Sequence, residues 1–190
     1  MNVIVVFGLP GSGKSYFAER LAKEIGAIYL SSDQIRSELD DRHDYSFSGK
    51  MKVYNRMLAL TEQWLKIKDT VVLDGTFYAR SIREKTQTYL RSIGAHILFL
   101  EIKADRKLIK ERLQRKRAFS EANYGVFEKI ASQAERMCEP HFVIHSNDHN
   151  IDDMMRIGLK YINASKSYEP LHPQFSKIVM DEGQNTAKQS

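Results

Sequence analysis

The chain of 190 residues is 42% hydrophobic and 28% charged, the balance of a single globular domain that is long enough to bury a full core. No apolar run approaches the roughly 20 residues of a membrane span, and the single cysteine, Cys138, excludes an internal disulfide and suits a reducing cytoplasm. We therefore expect a cytoplasmic protein without a membrane partner, whose net charge of +5 favours anionic partners such as nucleotides, phosphorylated substrates or nucleic acid.

The first predicted elements flank a glycine-rich loop. Val3–Phe7 is a short β-branched apolar run that predicts a strand, and Lys14–Ile25 has the apolar periodicity of a helix. The residues between them read GLPGSGKS over Gly8–Ser15, which matches the phosphate-binding pattern G-x-x-x-x-G-K-[ST] in its strand–loop–helix context. Because glycines let backbone amides converge on a phosphate at the positive end of a helix, we expect this loop to bind a nucleoside triphosphate.

Each position of this loop has an expected role in holding ATP and Mg²⁺. The Lys14 ammonium reaches the β- and γ-phosphates, and the Ser15 hydroxyl ligates Mg²⁺. The other positions present backbone amides to the phosphates. The predicted ATP-binding residues of the loop are Gly8, Pro10, Gly11, Ser12, Gly13, Lys14 and Ser15.

An acidic and a basic residue follow the second predicted strand, residues 27–30. Residues 31–39 predict a short helix with Ser32 as its N-cap, and Asp33 and Arg36 lie one turn apart within that helix. Asp33 would face the γ-phosphate and accept the proton of an attacking hydroxyl, while Arg36 orients Asp33 or contacts an acceptor phosphate. The alternative is a helix N-terminal acid with a surface ion-pair partner.

A second acidic residue, Asp74, follows the third predicted strand, Thr70–Leu73. Before this strand the sequence predicts a polar loop over residues 40–49 and a helix over Lys50–Lys68. An apolar strand that ends in aspartate places the Asp74 carboxylate near Mg²⁺ or its water shell. A turn or a helix cap is the alternative role. Residue 75 is glycine rather than the glutamate with which motor ATPases activate water, and the chain lacks the Asn-Lys-x-Asp signature of guanine binding. The sequence therefore argues against a motor or a GTPase.

A basic helix supplies candidate arginines for the phosphates. It spans Ala104–Arg117. Two predicted elements precede it: a helix over Arg80–Ile93 that ends at Gly94, and a strand over His96–Ile102. Phosphoryl transfer needs cations over the developing charge, and a mobile lid can supply them. A solvated helix face is the alternative. The candidate arginines, among which the sequence does not choose, are Arg112, Arg115 and Arg117.

The last predicted elements are two helices and a strand. Asn123–Glu139 predicts a helix, Phe142–His145 a fifth strand and Ile151–Ile162 a final helix. Asn147 follows the fifth strand, at a position that can border the adenine of ATP. We therefore include Asn147 among the predicted ATP-binding residues.

Five short strands alternate with helices over most of the chain, which predicts an α/β fold. The pattern indicates a parallel sheet that is covered by helices on both faces and so has three layers. Ligands of such sheets bind at the carboxyl ends of the strands, so the residues that follow the first three strands matter most. We expect this domain to span residues 1–162, with a C-terminal extension over residues 163–190 whose last ten or so residues are disordered.

Four segments of the chain resemble a known group of enzymes. GLPGSGKS, SSDQIR, VVLDGTFYARSIREK and KERLQRKR are similar to the small P-loop kinases related to polynucleotide 5′-hydroxyl kinase, zeta-toxin-type kinases and the seryl-tRNA kinase of selenocysteine synthesis, over roughly residues 1–162. The resemblance implies a P-loop NTPase fold with a five-stranded sheet of order 2-3-1-4-5 and a helical lid. It also implies that Asp33 is the general base, that Arg36 is its acceptor-site companion and that the arginines within residues 112–117 belong to the lid.

These features predict a kinase that depends on ATP and Mg²⁺ and phosphorylates a hydroxyl group. The acceptor is either a nucleic-acid 5′-hydroxyl or tRNA, or it is a small metabolite. A non-catalytic ATP-binding switch is the rival from another class, and a simple ATPase is disfavoured by Gly75. Four aromatic residues could stack on a strand end or instead belong to the core or a pocket lining: Tyr45, Phe47, Phe77 and Tyr78.

Overall fold

The structure is a computed structural model that describes residues 1–39, 44, 46–114 and 124–166. These residues form five strands and seven helices. None of the described helices is both long enough and apolar enough to cross a membrane. In chain order the elements are β1 (Asn2–Phe7), α1 (Lys14–Glu24), β2 (Ile28–Ser31), α2 (Ser32–Glu38), α3 (Phe47–Leu65), β3 (Thr70–Gly75), α4 (Arg80–Ser92), β4 (His96–Lys103), α5 (Arg106–Gln114), α6 (Tyr124–Gln133), β5 (Phe142–His145) and α7 (Ile151–Lys166).

The five strands form one parallel sheet in the order β2-β3-β1-β4-β5. Strand β1 lies at the centre, between β3 and β4, and helices pack on both faces of the sheet. The predicted three-layer α/β fold with a 2-3-1-4-5 sheet is therefore confirmed. In the register of the sheet, Asp74 of β3 lies between Val6 of β1 and Ser31 of β2, so the carboxyl ends of these three strands meet at one edge.

Alternate residues of β1 point into two separate cores. Val3 and Val5 belong to the core on the side of α3 and α4, whereas Ile4 and Val6 belong to the core on the side of α1 and α7. All four side chains are fully buried. Burial on both faces explains why β1 is continuously apolar, and it places the loop that follows β1 at the centre of the sheet edge.

Two details near the sheet edge differ from the prediction. Strand β3 extends past its predicted end and includes Asp74 and Gly75, because pairing with β1 overrides the poor strand preference of both residue types. Helix α2 is capped by Ser31 rather than by Ser32, since the Ser31 side chain accepts a hydrogen bond from the first turn of the helix. Asp74 therefore lies on a paired strand and not on a turn.

Helices α3 and α6 are among those whose boundaries differ from the prediction. Helix α3 begins earlier, at Phe47, because the Ser46 hydroxyl caps it. Helix α6 ends earlier, at Gln133, because the following chain bonds with the loop after β3: the amide of Glu135 donates to the carbonyl oxygen of Tyr78. Periodicity alone does not reveal a helix end that a long-range contact determines.

Part of the predicted lid and tail falls beyond the described residues. Helix α5 is the described portion of the predicted basic helix. Residues 115–123, between α5 and α6, lie outside the described residues. Helix α7 continues to Lys166, past the predicted domain end at residue 162, and residues 167–190 are likewise outside the description. The division into a domain and an extension therefore stays a prediction.

Candidate active site

The loop between β1 and α1 requires glycine at both of its ends. Gly8 has a φ of 150°, and a Cβ at that position would lie 2.3 Å from the carbonyl oxygen of Ile102. Gly13 has a φ of 94° and precedes α1, where a Cβ would lie 2.9 Å from the Ser146 hydroxyl. Within the described chain no side chain caps α1, so the first amides of this helix remain available to an anion.

Two polar side chains of the loop are buried where a phosphate would satisfy them. Ser12 is 1% exposed, and its hydroxyl has no hydrogen-bond partner among the described residues. Lys14 is 9% exposed, although lysine is almost never buried unless its charge is paired. A bound phosphate supplies both a hydrogen-bond acceptor and a negative charge. The loop therefore fits the triphosphate of ATP.

The Asp74 carboxylate is buried at the end of β3. It is 2% exposed, and its Oδ2 accepts a hydrogen bond of 2.8 Å from the Tyr29 hydroxyl. Its other oxygen, Oδ1, has no hydrogen-bond partner in the part of the chain that the structure describes. Burial raises the pKa of Asp74 above its ordinary value, and the nearby Lys14 ammonium, the Ser15 hydroxyl and Tyr29 oppose that shift only in part.

The Ser15 hydroxyl and the Asp74 carboxylate fit a magnesium site that ATP would complete. A buried carboxylate oxygen without a hydrogen-bond donor is well suited to a cation. The described residues contain no cluster of three or more His, Cys, Asp or Glu side chains that could hold a metal ion alone. Mg²⁺ does not need one, because it is usually bound by one or two protein oxygens together with substrate phosphates.

Tyr29 is a site residue that no sequence pattern indicated. It lies in β2, which neighbours β3, and its hydroxyl holds the Asp74 carboxylate. Burial and the negative charge of Asp74 raise the pKa of Tyr29, so the phenol stays protonated and continues to donate. The two residues are 45 positions apart. Only the order of the strands could have suggested that they meet.

Asp33 and Arg36 both lie on α2, at the sheet edge beside Asp74. Asp33 is exposed in the first turn of this helix. Helix α2 directly follows β2, whose last residue, Ser31, pairs with Asp74 in the sheet, so Asp33 lies two residues beyond the strand position next to Asp74. Arg36 donates a hydrogen bond of 2.7 Å to the carbonyl oxygen of Asp44. The structure thus places Asp33 at the same sheet edge as the buried carboxylate, and the catalytic roles of Asp33 and Arg36 stay predictions.

Arg112 binds the phosphate loop itself. Its guanidinium donates to the carbonyl oxygens of Gly11 and Ser12, at 3.4 and 3.1 Å. The same group donates to the Ser146 hydroxyl at 3.0 Å and pairs with the Asp148 carboxylate at 3.0 Å. Arg112 therefore ties α5 and the turn after β5 to the back of the loop, a structural contact that the sequence did not reveal.

The other residues predicted around ATP are Asn147 and two lid arginines. Asn147 is exposed in the turn after β5, where its side-chain oxygen accepts a hydrogen bond from the amide of His149 at 2.9 Å. It thereby stabilises its own turn, and its contact with adenine stays a prediction. Arg115 and Arg117 lie outside the described residues.

The turn after β3 contains a strained residue. Phe77 has a φ of 44° although it is not a glycine, and such residues are rare and cluster at functional sites. Its ring packs against Tyr54 with centroids 4.8 Å apart, and its amide donates to the Tyr54 hydroxyl at 3.1 Å. Burial raises the pKa of Tyr54 to about 12, so this hydroxyl stays protonated. Phe77 is therefore a core residue and not an exposed stacking surface for nucleic acid.

Arg83 is a buried cation that was also not predicted. It is 1% exposed on α4, and its guanidinium donates to the carbonyl oxygens of Phe77 at 2.9 Å, Tyr78 at 3.1 Å and Arg136 at 2.9 Å. The Glu139 carboxylate lies 3.5 Å from the Arg83 Nε and supplies the opposite charge. Arg83 therefore clamps the turn after β3 to the segment after α6. Its place on the buried stripe of α4 is the sequence signal that could have identified it.

A cavity of about 390 Å³, which we call the side cavity, lies between these two clamped segments and the start of the phosphate loop. Gly8 and Leu9 of that loop form part of its lining. The end of β4 forms a polar wall of this cavity. There the Glu101 carboxylate lies 3.1 Å from the Lys103 ammonium and 3.3 Å from Nε2 of His141. None of these three side chains was predicted as a site residue, because the segment that carries His141 meets β4 only in the folded chain.

Comparison with known proteins shows the family to which this geometry belongs. A family model described as an AAA domain matches residues 3–140. The chain is also similar to a protein named adenylate kinase from Pelagibacter ubique, strain HTCC1062, with 24% identity over 194 residues, which covers 93% of this chain and 88% of the relative.

Solved structures share the fold at low sequence identity. A sugar kinase from Janibacter sp. HTCC2649 has a TM-score of 0.67 at 15% identity, with 88% of this chain and 97% of that chain covered. An APS kinase of Mycobacterium tuberculosis, solved in complex with AMPPNP and APS, has a TM-score of 0.65 at 17% identity, with 85% and 97% covered. These structures show that the chain shares its fold with kinases of known structure. Because the AAA-domain model matches well over half of the sequence, the chain belongs to the AAA-domain family.

Proposed function

We propose that this member of the AAA-domain family is a kinase that transfers the γ-phosphate of ATP, as its magnesium complex, to a hydroxyl group. The observation that carries the proposal is the meeting of three groups at one sheet edge. They are the phosphate loop, the buried Asp74 with one oxygen that has no hydrogen-bond partner among the described residues, and the exposed Asp33, two residues after the Ser31 that pairs with Asp74. A phosphate loop alone serves many functions, whereas a second carboxylate beside it suits the activation of a hydroxyl acceptor.

Different residues around the loop would bind the phosphates and the Mg²⁺ of magnesium-ATP. Lys14 and the loop amides would hold the β- and γ-phosphates, and Ser15 with Asp74 would hold Mg²⁺. When bound, Mg²⁺ neutralises charge that develops on the phosphates. Arg112 keeps the loop in shape through its backbone carbonyls. The predicted lid arginines stay candidates for the cation over the transferring phosphoryl group.

Asp33 would act in the transfer itself. As the acceptor oxygen bonds to the γ-phosphorus, the bond from that phosphorus to the β–γ bridging oxygen breaks and ADP leaves. The proton of the acceptor hydroxyl passes to the Asp33 carboxylate. General base catalysis of this kind contributes about 10²–10⁴ to a rate.

A nucleotide acceptor is the second candidate. The observation that favours it is the similarity, over almost the whole chain, to a protein that is named adenylate kinase. Adenylate therefore belongs among the acceptors to be tested, beside nucleic acids and small metabolites.

The test is the transfer of radiolabelled γ-phosphate from ATP, with Mg²⁺, to a panel of 5′-hydroxyl oligonucleotides, tRNA, nucleosides, sugars, aminoglycosides and adenylate. We expect one acceptor class to be labelled. Asp33→Asn should lower kcat by about 10²–10⁴ and leave ATP affinity unchanged, because the base acts only in the transfer. If no acceptor in the panel is labelled, the kinase proposal is wrong.

The matched control is Asp69→Asn, which changes an exposed aspartate just before β3, at the opposite edge of the sheet. This variant should keep the turnover of the wild type. Equal turnover of Asp33→Asn and Asp69→Asn would show that Asp33 is not the base.

A further inference from the structure

We infer that the side cavity binds the phosphate acceptor, and that this acceptor is a small uncharged molecule with several hydroxyl groups. The inference rests on the proposed kinase function and names its substrate class. Because Gly8 and Leu9 line the side cavity, a molecule held there would lie beside the start of the phosphate loop. Thr76, at the carboxyl end of β3, lines the same space.

The size and the rigid walls of the side cavity suit one small molecule. Pockets for small ligands usually measure about 300–1,000 Å³, and this one measures about 390 Å³. Its walls are fixed because Arg83 bonds to the carbonyl oxygens of Tyr78 and Arg136, and because the Glu135 amide donates to Tyr78 at 2.9 Å. A cavity with fixed walls selects its ligand by shape and by polar contacts.

The polar wall matches a hydroxyl group better than it matches an ion. Glu101 and Lys103 lie 3.1 Å apart and present a hydrogen-bond acceptor beside a hydrogen-bond donor. A hydroxyl both donates and accepts, so one hydroxyl or a neighbouring pair of hydroxyls can engage both side chains. An anion would meet the Glu101 carboxylate, and a cation would meet the Lys103 ammonium.

The other side of the cavity is apolar. Phe7, Phe77 and Met137 contribute to the lining, and the ring of Phe7 makes an edge contact with His141, with ring centroids 6.0 Å apart. Apolar side chains opposite a polar pair fit a molecule that has a C–H face and hydroxyl groups along its edge. A polyhydroxylated carbon chain or ring has this distribution of groups.

The charges of the lining also argue against a nucleic-acid acceptor. Binding of a phosphate backbone requires several cations that are free to neutralise phosphates. Here two of the three Lys and Arg side chains that line the cavity already have a carboxylate partner: Lys103 is paired with Glu101, and Arg83 is paired with Glu139. The charged lining residues are Arg83, Lys103 and Arg136 against Glu101 and Glu135.

The experiment compares labelling of neutral polyols, such as glycerol, inositol, ribitol and glucose, with labelling of a 5′-hydroxyl oligonucleotide, by radiolabelled ATP with Mg²⁺. We expect label on at least one polyol and none on the oligonucleotide. Glu101→Gln should raise the KM for that polyol about tenfold or more, because the acceptor of the hydrogen bond loses its charge and the amide nitrogen introduces a donor. The Kd of magnesium-ATP, measured by calorimetry, should not change.

Two further variants separate the possible outcomes. Lys103→Gln changes the half-exposed partner of Glu101 and should raise the same KM, which keeps the test valid if Glu101→Gln does not fold. Glu24→Gln, at the exposed end of α1, is the control and should leave the KM unchanged. Label on the oligonucleotide alone, or an unchanged KM in both cavity variants, would overturn the inference and leave the kinase function standing. Binding of ATP without any labelled acceptor would overturn both.

Discussion

The two oxygens of Asp74 have different surroundings, and this difference explains the expected role of Tyr29. One oxygen accepts the Tyr29 hydroxyl at 2.8 Å, and the other has no hydrogen-bond partner among the described residues. A donor that fixes one oxygen of a carboxylate orients the other oxygen toward a metal. Loss of such an orienting partner typically costs about 10–100-fold in metal affinity.

Tyr29→Phe should therefore raise the Mg²⁺ concentration at half-maximal activity about tenfold or more. The affinity for ATP without Mg²⁺ should stay the same, because Tyr29 does not belong to the phosphate loop. Titration of activity with Mg²⁺ at saturating ATP measures the effect. Tyr161→Phe, in a half-buried tyrosine that stacks on Phe142, is the matched control. An equal Mg²⁺ requirement in both variants would contradict the orienting role.

The residues that sequence could predict are those with local patterns. Lys14 and Ser15 follow from a contiguous motif, and Asp74 follows from its place at the end of an apolar run. Tyr29 could not be found in this way, because its partner lies 45 positions away. The buried stripe of α4 could have marked Arg83, but not the segment 53 positions away to which it binds. Their importance depends on which strands and segments become neighbours.

At the scale of elements, Arg83 and its ion pair with Glu139 help to hold the turn after β3 to the segment after α6. Arg83 bonds to both segments, and Glu139 balances its charge at 3.5 Å. Burial by itself would raise the pKa of Glu139, but backbone hydrogen bonds and the Arg83 charge outweigh it, so the pKa lies below its ordinary value of 4.5. The folded state thus favours the ionised carboxylate.

This shift makes part of the stability depend on pH. A lowered pKa in the folded state contributes stability that is complete above about pH 4.5 and is lost as the pH falls through the folded value. We expect Glu139→Gln to lower Tm by about 4 °C at neutral pH, equivalent to roughly 1–2 kcal/mol for a chain of this size. The difference from wild type should shrink between pH 4.5 and pH 3. Thermal unfolding across this range measures it, and a difference that is constant with pH would refute the ion pair.

The element boundaries show where local patterns stop being sufficient. Most strands and helices are close to their predicted positions, since apolar periodicity marks them directly. The end of β3 was not predicted, because Asp74 and Gly75 are poor strand formers that pairing with β1 holds in place. The end of α6 was not predicted either, because the contact between Glu135 and Tyr78 determines it.

At the scale of the whole molecule, the parallel sheet brings the residues of the candidate site together at one edge. All five strands run in the same direction, so the groups at their carboxyl ends lie along one edge. This is why the alternation of strands and helices was enough to expect Asp33 and Asp74 on the same side as the phosphate loop. The side cavity required more, since it depends on how the chain after α6 returns to the sheet, which no local pattern encodes.

The central claim is that this edge binds ATP together with Mg²⁺, and isothermal titration calorimetry tests it most directly. Folded wild-type protein should bind one ATP per chain with Mg²⁺, and so should Lys23→Met, which changes an exposed lysine in the last turn of α1. Lys14→Met should bind at least about tenfold more weakly, because it removes the ammonium that reaches the β- and γ-phosphates. The absence of any heat when ATP and Mg²⁺ are added to the folded wild type would contradict the claim.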